Sequence, residues 1–244
     1  MKTMIKKTAM SMVLVLGLAS AASLTLALPA DFDAKLAARP DADKARDEAR
    51  KPKETVELLG IKEGWTVVDV SAGGGYFTRV LSAAVGPKGK VLAQFGERAA
   101  QNNGGQAQKD LAAQLGNMEP QFVAMSALPA GSADAALTAL NLHDAFNFRG
   151  EEGGLAFVKE IYNVLKPGGV AAIIDHEGNA GAANADLHRI PASVVRDLIT
   201  KAGFEIVEES NVLDNPKDDH TKATNSPELE RHTDQVFFVV RKPA

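Results

Sequence analysis

The chain contains no cysteine in its 244 residues. Disulfides, thiol nucleophiles, thiolate zinc sites, iron–sulfur clusters and a lipid-modified cysteine anchor are therefore excluded. A basic excess is lacking too. The first 30 residues hold Lys2, Lys6 and Lys7 and no acid, which leaves 24 basic against 31 acidic residues beyond them, a net charge of −7. That sign argues against a nucleic-acid partner held by bulk charge, because phosphate neutralisation needs a basic surface. No second long hydrophobic run follows the first 30 residues, and no internal repeat is visible. What is present is ordinary for a globular protein, with 45% hydrophobic and 24% charged residues. A mature length of about 215 residues suits one α/β domain that buries roughly 70% of its unfolded surface.

The amino-terminus reads as a secretory signal peptide over residues 1–27. Three lysines form its positive region and Ala9 to Leu18 its apolar core. Ala19-Ser20-Ala21 and Thr25-Leu26-Ala27 offer cleavage after Ala21 or Ala27. The uncharged run Thr8–Ala30 is 23 residues, long enough for an uncleaved anchor. Its Ser, Thr and Ala content after Leu18 favours cleavage, and hence a periplasmic or extracellular protein with no stable membrane insertion afterwards.

Residues 28–60 read as an amino-terminal helical segment and 61–244 as one α/β domain. Asp31–Arg50 is alanine-rich and polar, and Pro52–Leu59 forms a short helix that starts at proline and stops at Gly60. Strands are expected at Thr66–Val70, Lys90–Phe95, Gln121–Met125, Ala133–Leu140, Val170–Ile174, Glu205–Val212 and Gln235–Arg241. Helices are expected at Tyr76–Val85, Gln106–Leu115, Leu155–Leu165 and Pro191–Ala202, with a small-residue loop at Ala180–Asp186. Alternating strands and helices imply a mostly parallel sheet with helices on both faces. The last two strands, joined by the polar stretch Asn211–Asp234 without a helix, imply an antiparallel hairpin.

Ligands of open α/β sheets bind beyond the carboxyl ends of the strands. The first strand ends in Asp69-Val70-Ser71-Ala72-Gly73-Gly74-Gly75, and glycine permits a tight turn and close approach to a ligand. Alone, such a turn is also compatible with no ligand at all. Gly73-x-Gly75-x-x-Thr78 lacks the last glycine of a dinucleotide fingerprint. Ser71 lacks the first glycine of a nucleophile elbow, since Asp69 stands there.

With the segments Val67–Leu81, Leu128–Asp144 and Asn163–Asp175 added, the chain resembles class I S-adenosylmethionine-dependent methyltransferases. More narrowly it is similar to a group of exported bacterial predicted methyltransferases, through Arg46–Thr78, Asn141-Leu142-His143-Asp144, Asp175-His176 and the tail Ala202–Pro243. The resemblance implies a Rossmann-like seven-stranded sheet, mostly parallel, with an antiparallel last strand. It implies S-adenosylmethionine as cofactor. Asp69, Ser71, Gly73 and Gly75 would form the cofactor turn, with Tyr76 and Asn141 beside it. The acid that normally holds the ribose falls near Phe95, where Glu97 or Gln94 must substitute. The acid for the adenine amine, near Ala124-Met125-Ser126, is missing.

Asn141, His143 and Asp144 follow the fourth strand, and Asp175 and His176 the fifth. Strands about 4.8 Å apart carry both sets to one rim beside Asp69, and His188-Arg189 can fold back toward it. Acid–base chemistry by His143, Asp144, Asp175 and His176 is the expected role. The other readings are hydrogen-bonded strand-end caps and a mixed nitrogen–oxygen metal site, which has no short His-x-x-x-His spacing behind it. No metal is expected on balance. Arg46, Asp47, Glu48 and Arg50 read as a solvated helix face, with a lid over the pocket as the alternative. Pro216–Thr221 reads as a surface loop, with a place at the substrate mouth as the alternative, and Trp65 reads as core. The expected function is methyl transfer to a small-molecule or envelope acceptor; the alternative is a catalytically inactive binding protein of the periplasm.

Overall fold

The computed structural model describes residues 28–244. The expected leader and both cleavage sites lie outside the described residues. Seven strands run β1 (Thr66–Val70), β2 (Lys90–Gln94), β3 (Met118–Gln121), β4 (Ala133–Ala139), β5 (Leu165–His176), β6 (Glu205–Ser210) and β7 (Gln235–Arg241). They form one sheet in the order β3-β2-β1-β4-β5-β7-β6. β1 to β5 pair in parallel, while β7 is antiparallel to both β5 and β6. The expected architecture and terminal hairpin are therefore present.

Two hydrophobic layers flank the sheet because strand side chains alternate between its faces. One face carries α4 (Pro52–Leu58), α5 (Tyr76–Val85) and α7 (Gln106–Leu115), and it buries Val56, Val67, Val80 and Leu81. The other carries α8 (Leu142–Val164) and α10 (Ala192–Ala202), and it buries Val68, Val158, Ile161 and Leu198. Each such side chain contributes roughly 1.5–3 kcal/mol by leaving water. The same alternation turns Asp69 toward α5, where Thr78 Oγ1 donates to its Oδ2 at 2.5 Å.

Several elements depart from the sequence reading. The third strand ends at Gln121 rather than beginning there. The apolar stretch after it leaves the sheet because the Gln94 side chain, not a strand, donates to the Val123 carbonyl. Pro120 sits in β3, an edge strand, where its missing N–H is tolerated. The helix before β5 starts at Leu142, thirteen residues ahead of expectation, and breaks at Gly150 with φ 67 and ψ −168. Asp175 accepts the His143 backbone N–H at that new helix start, which explains the early beginning. Ahead of α4, the amino-terminal segment forms three short helices, α1 (Phe32–Ala37), α2 (Asp41–Lys44) and α3 (Asp47–Arg50). Pro40 and the left-handed Lys51 (φ 41) divide and end them. Two further short helices were not foreseen, α6 (Glu97–Gln101) and α9 (Asn184–Leu187), the latter inside the small-residue loop.

Candidate active site

The turn between β1 and α5 builds the first half of the site. Ser71, Gly73 and Gly75 all adopt positive φ, at 53, 55 and 79°. Gln94, buried at the end of β2, accepts the Ser71 N–H with Oε1 at 3.0 Å. A Cβ on Gly75 would lie 2.7 Å from Leu111 Cδ2, whereas Gly74 has open space above it. A cavity of about 210 Å³ therefore opens over the turn, lined by Asp69, Ser71, Gly73, Tyr76 and Asn141, with Arg46 and Arg50 above. Five of the seven expected cofactor residues line it directly. Glu97 does not line it and is exposed, and Gln94 is occupied by the Ser71 and Val123 backbone.

Asp69 is fully buried, and burial is the main reason its pKa rises to about 7, against the Thr78 hydrogen bond and the Arg50 charge. Asn141 Nδ2 donates to the Ala139 carbonyl at 2.8 Å, which fixes its amide at the end of β4. Tyr76 is the pivot of the amino-terminal segment. Its hydroxyl donates to Asp47 Oδ1 at 2.7 Å, and Arg39 binds the other oxygen at 2.5 Å. The Arg46 and Arg50 guanidinium carbons stand 5.2 and 4.8 Å from the Tyr76 ring centroid. The solvated-face reading of this segment is thus corrected: aromatic stacking and the Asp47 bond draw Arg46, Asp47 and Arg50 over the turn, and only Glu48 of the four is exposed. Burial and then the Arg46 charge lower the Arg50 pKa to about 10. Among the described residues, no carboxylate forms an ion pair with Arg46, Arg50 or Arg231.

A second cavity of about 490 Å³ adjoins the first and shares Arg46, Arg50 and Leu140 with it. His176, Thr224, Asn225, Glu230, Arg231 and Gln235 supply the rest of its polar lining. The terminal polar stretch Asn211–Asp234 therefore lines a cavity through Thr224, Asn225, Glu230 and Arg231, whereas Pro216–Thr221 does not reach it. It is fastened by a fully buried pair that the sequence reading did not foresee: Arg189 Nη2 donates to both Asp218 carboxylate oxygens at 2.9 Å.

The four expected acid–base residues do gather at one rim but face different ways. His176 lines the larger cavity, and its Nδ1 lies 2.6 Å from the buried Thr233 hydroxyl. Burial lowers its pKa to about 4, so it is neutral at pH 7. His143 is buried behind it, with ring centroids 5.6 Å apart. Its Nδ1 stands 2.6 Å from Asp175 Oδ1. Burial disfavours the charged imidazole, but the hydrogen bond and charge of Asp175, with Asp144 behind, outweigh it and raise the His143 pKa. Asp144 is half exposed and lies between His143 and His188, which does fold back as expected.

Residues 47–180, more than half of the chain, match the model of the ubiE/COQ5 methyltransferase family. The chain belongs to that family. Solved structures with the same fold include a SAM-dependent methyltransferase from Aquifex aeolicus, at TM-score 0.59 and 23% identity over 82% of this chain and 98% of that one. An arsenic(III) S-adenosylmethionine methyltransferase from Chlamydomonas reinhardtii matches at TM-score 0.55 and 18% identity, over 87% and 72%. The [4+2]-cyclase SpnF matches at TM-score 0.60 and 19% identity, over 80% and 81%. No curated protein sequence matches the chain. The family assignment supports S-adenosylmethionine as the cofactor of this methyltransferase-family chain. The open glycine turn and the two unpaired arginines above it fit that molecule's methionine end; the β2 end offers it no free acid.

Proposed function

We propose that this chain is an active S-adenosylmethionine-dependent methyltransferase whose acceptor is a small anionic molecule. The observation that carries the reading is the pair of adjoining cavities, one over the glycine turn and one lined by His176, Glu230 and three arginines, none of which is ion-paired among the described residues, so that cations outnumber the single acid. Asp69, Ser71, Gly73, Gly75, Tyr76 and Asn141 would hold the cofactor, with Arg46 and Arg50 facing its carboxylate. Bound there, S-adenosylmethionine supplies an electrophilic methyl on a cationic sulfur. Arg231, the arginine not turned to the cofactor, aligns the acceptor, and alignment of nucleophile, methyl carbon and sulfur is the larger part of such catalysis. His176 is neutral at pH 7, so its Nε2 is free to accept a hydrogen bond from the acceptor hydroxyl or amine when Nδ1–H is given to Thr233. That bond orients the acceptor's lone pair, and the proton lost on methylation leaves to water.

Incubating the chain with methyl-labelled cofactor and fractionated small-molecule extract tests this. Label is expected in anionic metabolites, and His176→Ala is expected to lower turnover more than cofactor affinity. Label that appears only in macromolecules, or in cationic molecules, contradicts the acceptor class.

A second reading has its own support. Gln94 stands where a ribose-binding acid is usual and is already bonded to backbone at both ends. A methyltransferase fold that has lost catalysis and holds a ligand at the rim fits that substitution, and the fold is known to host other chemistry. Binding without any turnover would select it.

Export is part of the proposal and rests on Lys2, Lys6, Lys7, the apolar run and the two small-residue sites of the leader. Among the described residues no helix is long and apolar enough to cross a membrane. An exported enzyme of this kind needs cofactor outside the cytosol. Cell fractionation followed by mass determination of the amino-terminus tests it: a mature form starting after Ala21 or Ala27 is expected, and a full-length cytosolic chain contradicts it.

A further inference from the structure

Three metal-ligand atoms converge on the far side of His143 from Asp175. His143 Nε2 and His188 Nδ1 each lie 3.1 Å from Asp144 Oδ1. The three ligand atoms all fall within 4.8 Å of one another. Different parts of the fold bring them together. His143 and Asp144 occupy the first turn of α8, whereas His188 sits in a left-handed turn (φ 53) just after α9. The His143 and His188 rings meet edge to face at 5.7 Å, and Phe148 packs on His188 at 6.0 Å. None of the three lines either cavity.

The hydrogen bonds behind the cluster decide its chemistry. Asp175 accepts the backbone N–H groups of His143 and His176 and faces His143 Nδ1. That contact favours a proton on Nδ1, so the space between Nε2 and the Asp144 oxygen is where a second proton or a metal ion is held. Two acceptors at this distance repel unless positive charge lies between them. A carboxylate that orients a histidine from behind, leaving its other nitrogen free, is the arrangement that supports metal-ligating imidazoles. Two imidazole nitrogens and one carboxylate oxygen suit a borderline divalent ion. Tetrahedral bonds of the usual zinc length place neighbouring ligand atoms roughly 3.3 Å apart, close to the two 3.1 Å contacts of Asp144, while the two imidazole nitrogens lie within 4.8 Å of each other.

We propose that His143 Nε2, Asp144 Oδ1 and His188 Nδ1 form a binding site for a divalent transition-metal ion of the zinc class, beside the acceptor cavity. Three protein ligands leave a fourth position open. A second trio, Glu177, His220 and Asp234, is the weaker candidate. It has a single imidazole, whose two nitrogens already face Asn179 Oδ1 and Asp234 Oδ2. The proposal does not depend on methyl transfer, because neither cavity contributes a ligand.

The test is calorimetric titration of the tag-free, chelator-stripped chain with Zn2+, with metal content after dialysis and X-ray absorption as independent readouts. One Zn2+ per chain is expected, with imidazole scattering in the absorption spectrum. His188→Ala and Asp144→Asn, both at exposed positions, are each expected to weaken binding by at least about tenfold while retaining the wild-type melting transition. His220→Ala is expected to leave the affinity unchanged. No stoichiometric binding up to millimolar Zn2+ overturns the proposal, and means that a proton alone sits between His143 and Asp144. Binding that survives His188→Ala and Asp144→Asn but is lost in His220→Ala also overturns it, in favour of the other trio. S-adenosylmethionine binding is titrated separately, so a failed cofactor titration and a failed zinc titration remain distinct results.

Discussion

The carboxylate of Asp175 holds His143 twice: Oδ2 accepts its backbone N–H at 2.8 Å and Oδ1 meets its Nδ1 at 2.6 Å. One side chain at the end of β5 thereby sets both the start of α8 and the orientation of an imidazole. Asp175 also accepts the His176 N–H, so its removal strands three donors in a buried place. Asp175→Ala is expected to destabilise the chain by about 3 kcal/mol or more. Chemical denaturation measures it, and a loss below about 1 kcal/mol would show that water or a neighbour takes over.

Arg189 and Asp218 are both fully buried and paired through two hydrogen bonds. Arg189→Met leaves the Asp218 charge without its partner and is expected to cost about 3–5 kcal/mol. The double variant Arg189→Met with Asp218→Leu is expected to cost less than either single change, because no charge is then buried alone. A double-mutant cycle with additive losses would contradict this reading.

Asp69 gives the stability a pH dependence of definite sign. Its pKa is raised by burial from 3.8 to about 7, so between those values the folded chain keeps a proton that the unfolded chain has released. The stabilising contribution is complete below 3.8 and is lost as pH rises through 7. Asp69→Asn removes this term. Its stability is expected to fall less than that of the wild type between pH 4 and pH 8, by up to about 4 kcal/mol. Parallel denaturation curves at both pH values would contradict the assignment.

Gly75 and Gly74 are neighbours with opposite tolerance. A Cβ at Gly75 meets Leu111 at 2.7 Å with φ at 79°, while one at Gly74 meets nothing within 4 Å. Gly75→Ala is expected to cost about 2 kcal/mol from left-handed strain and crowding. Gly74→Ala is expected to change stability by less than about 0.5 kcal/mol. Equal melting temperatures for the two variants would contradict the turn geometry.

Most of the sheet was legible because its strands are short apolar runs bounded by turn residues, and its mostly parallel character followed from alternation with helices. The glycine turn was legible for the same reason, since Asp69 closes a buried strand directly before it. Gln121–Met125 misled because its apolar residues mark a loop anchored by Met125 and by a Gln94 hydrogen bond, and periodicity does not distinguish the two. The helix start at Leu142 depends on Asp175, a residue 32 positions away from His143. The roles of Arg46 and Arg50 depend on stacking over Tyr76, and that of Arg231 on the path of the terminal loop. No local pattern encodes such long-range contacts. His143, Asp144, Asp175 and His176 were placed at one rim correctly, but which way each faces is decided by Thr233 and His188, partners distant in sequence.

Cofactor binding at the glycine turn is the claim on which the account rests. The direct measurement is calorimetric titration of the chain with S-adenosylmethionine and S-adenosylhomocysteine, alongside Gly73→Arg. The nearest atom to a Cβ at Gly73 is the Ser71 carbonyl oxygen at 3.9 Å, so an arginine there fills the cavity above the turn without a clash, at a cost of about 1–2 kcal/mol from the left-handed backbone at φ 55°. Dissociation constants of roughly micromolar are expected for the wild type, with binding lost in a variant that still unfolds cooperatively at a somewhat lower temperature. Failure of the wild type to bind either molecule up to millimolar concentration, or equal binding by Gly73→Arg, would contradict the account.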